Sequence, residues 1–160
     1  MKKYETVIFD LDGTLLYTLE DLTKATNYAL RRMNMPERTL DDVRRFVGNG
    51  VARLIELAVP EGTAPEVFEQ TLAIFREYYD IHCNDNTKAY DGVIDLLREL
   101  KAEPTRAVYV GDSEVDLQTA HNAHLPCLSV SWGFRDRAFL QEQGAESVVD
   151  TPEELLRLLL

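Results

Sequence analysis

A chain of 160 residues is long enough for one sizeable core plus a small inserted module. Its 45% hydrophobic and 28% charged content is ordinary for a globular protein, and no apolar run approaches the roughly 20 residues of a membrane span. With 28 acidic against 17 basic residues the formal charge is −11, which speaks against a nucleic-acid or anionic-membrane surface. An anionic substrate stays open, because a bound divalent cation inverts the local field.

Thr6-Val7-Ile8-Phe9 is a short apolar run ending in Asp10, the pattern of a buried parallel strand that enters a loop. The charged start, Met1-Lys2-Lys3-Tyr4-Glu5, runs straight into it, so no secretory leader is expected. Cys83 and Cys127 match no metal spacing and fit free thiols in a reducing compartment, so a cytoplasmic protein is expected. Leu19, Leu22, Ala29, Leu30 and Met33 then recur at helical spacing, with Thr18 as expected N-cap and Asp21 in the capping-box position. Pro36 stops this helix. Thr39 caps the next, Gly48-Asn49-Gly50 interrupts it, and Val51 to Ala58 forms a third. Pro65 opens a fourth, with Phe68, Leu72, Phe75 and Tyr79 on its apolar side.

From Asp91 onward strands and helices alternate. Helices are predicted at Val93–Leu100, Val115–Ala123, Arg137–Gln143 and from Thr151, and strands at Ala107–Val110, Cys127–Val130 and Ser147–Val149. Such alternation means an α/β fold with a Rossmann-like parallel sheet. The expected organisation is a split core, residues 1–17 and 88–160, with a helical cap of residues 18–87 inserted after the first strand.

Two acidic stretches carry the chemistry. Phe9-Asp10-Leu11-Asp12-Gly13-Thr14-Leu15 stands at the carboxyl end of the first strand, where ligands bind in open α/β sheets. Two carboxylates at this spacing can share one cation, or one can attack while the other moves protons. Gly13 lets the backbone turn sharply. On its own the stretch is better read as an Asx-type turn or a calcium loop; the strand before it and a second acidic strand end shift the balance. The second stretch, Gly111-Asp112-Ser113-Glu114-Val115-Asp116, puts Asp112 at another strand end and Asp116 one helical turn later on the same side. Asp112 or Ser113 could simply cap the helix, but acids from two parallel strand ends are better explained as a hard-cation site, Mg²⁺ foremost.

The motifs F-D-L-D-G-T-L and G-D-S-x-x-D resemble the first and last signatures of haloacid dehalogenase-type phosphatases, and the helical insert resembles that family's cap. Val47-Gly48-Asn49-Gly50-Val51, Ala89-Tyr90-Asp91-Gly92-Val93 and Val130-Ser131-Trp132-Gly133-Phe134-Arg135 are similar to the phosphoglycolate-phosphatase branch. The resemblance implies Asp10 as nucleophile, taking the phosphoryl group as an aspartyl-phosphate, and Asp12 as general acid/base. It implies a Mg²⁺ ion held by the Asp10 carboxylate, the Asp12 carbonyl and Asp112, with Asp116 in support. Bare backbone N–H groups at Gly48, Asn49 and Gly50, with the Arg53 fork, are the expected contacts to a small phosphorylated metabolite. A plain helix break is the alternative for that loop.

The departures are as informative. The family's second motif, a Ser or Thr that binds the phosphoryl oxygens, and its third, a charge-neutralising Lys, have no counterpart here. The helix that starts at Val93 runs through Lys101-Ala102-Glu103-Pro104 directly into Ala107, so about 60 residues of two strand–helix crossovers are missing. Lys101 reads as a solvated helix end. His124 stands where relatives have a glycine, and a left-handed residue there costs about 1 kcal/mol. His82, His121 and Tyr17 carry no expected chemistry. Three functions follow: a Mg²⁺-dependent phosphatase acting on a phosphoglycolate-like monoester, a relative with pyrophosphatase or sugar-phosphate mutase specificity, or a shortened, catalytically impaired metal- or partner-binding protein. With the middle strands gone, Thr6 to Phe9 is expected at an exposed sheet edge. Either the helix from Val93 to Leu100 changes to the other face of the sheet, as a right-handed crossover requires, or two copies pair or swap as a homodimer.

Overall fold

The computed structural model describes residues 6–99 and 107–160; Lys101 and the junction from it to Arg106 lie outside them. β1 (Thr6–Phe9) and β2 (Leu16–Tyr17) precede four helices, α1 (Leu19–Arg32), α2 (Leu40–Phe46), α3 (Gly50–Ala58) and α4 (Pro65–His82). After β3 (Lys88–Ala89), helices and strands alternate. They are α5 (Val93–Glu99), β4 (Ala107–Gly111), α6 (Glu114–Asn122), β5 (Cys127–Val130), α7 (Arg137–Glu142), β6 (Val148–Val149) and α8 (Pro152–Leu159). The chain divides into two compact units, residues 1–17 with 89–160, and residues 18–88.

The first unit is an α/β layer built on a parallel sheet of order β1-β4-β5-β6. Thr6 lies opposite Ala107 and Phe9 opposite Val110; Gly111 faces Ser129, and Val130 faces Val149. Strands of such a sheet are buried on both faces, which is why they read as continuous apolar runs. Val108, Val110 and Val130 are wholly buried, and with Leu96, Leu128, Val149, Leu155 and Leu159 they form the core. Each such side chain contributes about 1.5–3 kcal/mol relative to exposure. Asp10 continues the ladder, its N–H donating to the Val110 carbonyl at 2.8 Å, so the exits of β1 and β4 are locked side by side. Among the described residues β1 is an edge, with β4 as its one neighbour. The two-residue strands β2 and β3, which pair in a second sheet, have no predicted counterpart because two residues carry no period.

Helix ends in this unit follow local chemistry. Thr151 accepts the Glu154 N–H and Pro152 fills the first turn of α8. His124 takes φ 55 and closes α6, with the Leu125 N–H reaching back to the Ala120 carbonyl at 2.9 Å. It does without a glycine what Gly144, at φ 93, does for α7.

The second unit is all helical. Leu19, Leu22, Ala25, Ala29 and Leu30 of α1 and Leu72 and Phe75 of α4 are buried within it. Thr39 caps α2 as expected, and Asp42 completes a capping box with it. The expectation for α1 fails, however. Thr18 sits in the helical region of φ/ψ and its hydroxyl makes no cap bond. Asp21 turns instead to the far end of the unit: Oδ2 accepts the backbone N–H groups of Asn86 and Thr87, both at 2.8 Å, and Oδ1 accepts the Asn86 amide at 2.6 Å. A buried carboxylate collects several strong donors there, against one in a capping box, so the long-range contact wins.

Candidate active site

The carboxyl ends of β1, β4 and β5 deliver three loops to one place. Asp10 leaves β1, Asp112 leaves β4, and Asp116 comes from the first turn of α6. One carboxylate oxygen from each lies within 4.8 Å of the others. Asp112 is 1% exposed and Asp116 6%, so two of the three acids are withdrawn from water.

Such a cluster raises the cost of ionisation. Burial, then the Asp116 charge, pushes the Asp10 carboxyl up to about 6 against the Leu11 N–H, which favours the anion. Burial also pushes Asp112 up to about 7, opposed by the Phe134 N–H and reinforced by the Asp116 and Asp10 charges. No lysine stands among the described residues of this unit, and its Arg135 is engaged with Glu114. An oxygen-only set of buried acids suits a hard divalent cation, whose charge would relieve the mutual repulsion.

Each acid is held by neighbours. The Asp116 Oδ2 accepts the N–H groups of Asp112 at 3.1 Å and Ser113 at 3.0 Å and the Ser113 hydroxyl at 2.6 Å, while Oδ1 takes the Tyr109 hydroxyl at 3.2 Å. Asp116 therefore caps its own helix while facing the cluster. For Asp112, the Thr14 hydroxyl donates to Oδ1 at 3.3 Å and the Phe134 N–H to Oδ2 at 2.5 Å. Thr14 is fixed in turn by the Trp132 indole N–H, which donates to its carbonyl at 2.9 Å.

Three glycines make room for these carboxylates. A Cβ on Gly133 would stand 2.2 Å from Asp112 Oδ2, one on Gly13 2.6 Å from the same oxygen, and one on Gly111 2.2 Å from Asp116 Cγ. Gly13 also needs its φ of 91 for the tight turn in which its N–H reaches the Leu16 carbonyl at 2.8 Å. The sequence points to Asp10, Asp112 and Asp116, and to Ser113 only as a helix cap, but to no role for Thr14, Tyr109, Gly111, Trp132, Gly133 or Phe134. The Ser131-Trp132-Gly133-Phe134-Arg135 stretch was the available signal.

Asp12 is exposed on the turn after β1, its backbone bridged to Leu16, and its carboxylate is outside the three-acid cluster. Gly48, Asn49, Gly50 and Arg53 belong to the helical unit. Gly48 and Gly50 have φ 126 and 82, Asn49 precedes α3 without a side-chain cap bond, and Arg53 pairs with Glu56 at 2.6 Å. Both partners of that pair are exposed, so it holds Arg53 only weakly.

The chain resembles known proteins along most of its length. The family model described as haloacid dehalogenase-like hydrolase matches residues 7–106. A phosphoglycolate phosphatase of Caulobacter vibrioides is 34% identical over 118 residues, 72% of this chain and 50% of that protein. Phosphoglycolate phosphatase 1 of Pseudomonas aeruginosa is 26% identical over 213 residues, covering 94% of this chain and 78% of the relative. This chain thus spans about half of the first relative and more of the second. The second alignment is longer than the whole 160-residue chain, so the relative carries a stretch with no counterpart here. A crystal structure from Lactobacillus delbrueckii subsp. bulgaricus superimposes with a TM-score of 0.90 at 28% identity, covering 100% of this chain and 99% of that one.

Proposed function

Because the chain belongs to the haloacid dehalogenase-like hydrolase family, we propose that its acidic cluster is the site of a Mg²⁺-dependent phosphatase acting on a small phosphate monoester such as phosphoglycolate. The observation that carries this reading is the convergence of the Asp10, Asp112 and Asp116 carboxylates within 4.8 Å. Asp10, the more accessible of these acids, is the nucleophile that takes the phosphoryl group. Asp12, exposed on the adjoining turn, protonates the leaving oxygen and then activates water. The Asp10 carboxylate, the Asp12 carbonyl and Asp112 are the residues that would hold Mg²⁺, with Asp116 in support. Bound there, the ion would supply charge neutralisation of the phosphoryl oxygens. The names of the relatives support the substrate class.

A second reading has its own support. Phosphoryl transfer depends on positioning and on stabilising the equatorial oxygens, and no lysine stands in the described α/β unit to do this. On this reading the chain binds metal but turns over slowly. Calorimetric titration with Mg²⁺ and release of phosphate from 2-phosphoglycolate separate the two. Binding abolished in Asp112→Ala, with turnover lost in Asp10→Asn, supports the phosphatase. Binding without turnover supports the impaired form, and no binding in the parent removes both.

A further inference from the structure

We infer that the Arg135–Glu114 pair is a positioning device for the cation site: it fixes the loop whose Phe134 N–H orients Asp112. The inference rests on the cluster being a Mg²⁺ site. The contact has two points, Arg135 Nε to Glu114 Oε2 at 3.0 Å and Nη2 to Oε1 at 3.2 Å. The guanidinium also lies over the Phe139 ring, 5.5 Å from its centroid. The Arg135 side chain is 11% exposed and that of Glu114 30%, which sets this pair apart from the exposed ion pairs elsewhere on the chain. A planar fork held on both sides fixes direction as well as distance.

Its place in the chain gives it leverage. Glu114 opens α6, two residues after Asp112 and two before Asp116. Arg135 directly follows Phe134, whose N–H meets Asp112 Oδ2 at 2.5 Å, and Gly133 passes against the same oxygen. The Glu114 loop and the Arg135 loop are therefore joined twice, once at Asp112 and once just beyond it. Without the outer joint, Phe134 is left with its single hydrogen bond to Asp112. Partners that orient a metal ligand typically matter ten- to a hundredfold in affinity.

The sign of the effect makes the inference testable. Removing a positive charge near a cation site should tighten cation binding if only through-space electrostatics matters. Positioning requires the reverse. Mg²⁺ titration of Arg135→Ala by calorimetry is expected to show affinity ten- to a hundredfold weaker than the parent, with one site retained. Arg135→Lys, which keeps the charge and loses the fork, is expected to be weakened too, and it decides the matter if the alanine variant does not fold. Glu114→Gln combined with Arg135→Ala is expected to be no weaker than Arg135→Ala alone, since both act through one contact. Unchanged or tighter binding in the folded Arg135 variants overturns the inference and leaves the metal site standing. A parent that binds no Mg²⁺ overturns both.

Discussion

The Phe134 N–H and the Asp112 carboxylate meet at 2.5 Å because Gly133, the residue just before Phe134, has no side chain to hold them apart. A methyl group at Gly133 would stand 2.2 Å from Asp112 Oδ2 and 2.3 Å from the Gly13 carbonyl, so something at the site must shift to admit it. Gly133→Ala is expected to cost about 1–3 kcal/mol of stability, as overpacking does, and to abolish Mg²⁺ binding. Thermal unfolding and calorimetry on the same preparation check both. Retained binding would show that Asp112 has room to move.

Protonation of the acids gives the metal-free protein an unusual pH profile. Folded Asp10 and Asp112 keep protons that the unfolded chain releases near the ordinary value of 3.8, up to about 6 and about 7 respectively. In that window the folded state binds more protons, so stability falls as pH rises, from full effect below 3.8 to its loss above about 7. The metal-free protein is expected to be less stable at about pH 8 than at about pH 5, by on the order of a few kcal/mol, mostly from Asp112. Mg²⁺ should reverse the trend by favouring the ionised acids. Chemical denaturation at both pH values, with and without Mg²⁺, reads the sign directly.

Turnover is expected to be slow. With no lysine among the described residues of the α/β unit to neutralise the phosphoryl oxygens, a rate on the order of 10³-fold below that of an enzyme with such a charge is expected. Assays with 2-phosphoglycolate and a generic aryl phosphate test this, with Asp10→Asn as control. Fast Asp10-dependent turnover would mean that another group supplies the charge; activity that survives Asp10→Asn would point to a contaminant.

In the helical unit, Asp21 joins the two ends of the insert. Burial alone would raise its carboxyl, but hydrogen bonds from Asn86 and Thr87 bring it below the ordinary value. Asp21→Ala strands those donors and is expected to destabilise the protein by about 3 kcal/mol or more. Thr18→Ala, which removes no cap bond, should cost much less. Equal melting temperatures for the two variants would restore the helix-capping assignment.

The edge position of β1 predicts self-association. Ile8 on that strand is 41% exposed, and β1 has a single neighbour among the described residues. A second copy pairing along the edge would cover both the apolar side chain and the open backbone groups. Light scattering should show mass rising with concentration, and Ile8→Lys should hold the chain monomeric. A parent that stays monomeric at every concentration removes this expectation.

What was legible in the sequence is what neighbours along the chain decide. Apolar runs ending in Asp10 and Asp112 announced two parallel strands with acids at their exits, and helical spacing announced the insert between them. Caps at Thr39 and Thr151 and the left-handed turn at His124 were readable because each involves residues within one turn of each other. Contacts across the chain were not. Asp21 looked like a cap because its competitors, Asn86 and Thr87, lie 65 and 66 positions away. Gly133, Phe134 and Arg135 matter only once β5 lies beside β4, which places their loop against Asp112. Periodicity encodes which face of an element is apolar but not which strand stands next to which. The acids therefore came from the sequence, while the donors and glycines that aim them were decided by sheet order and register.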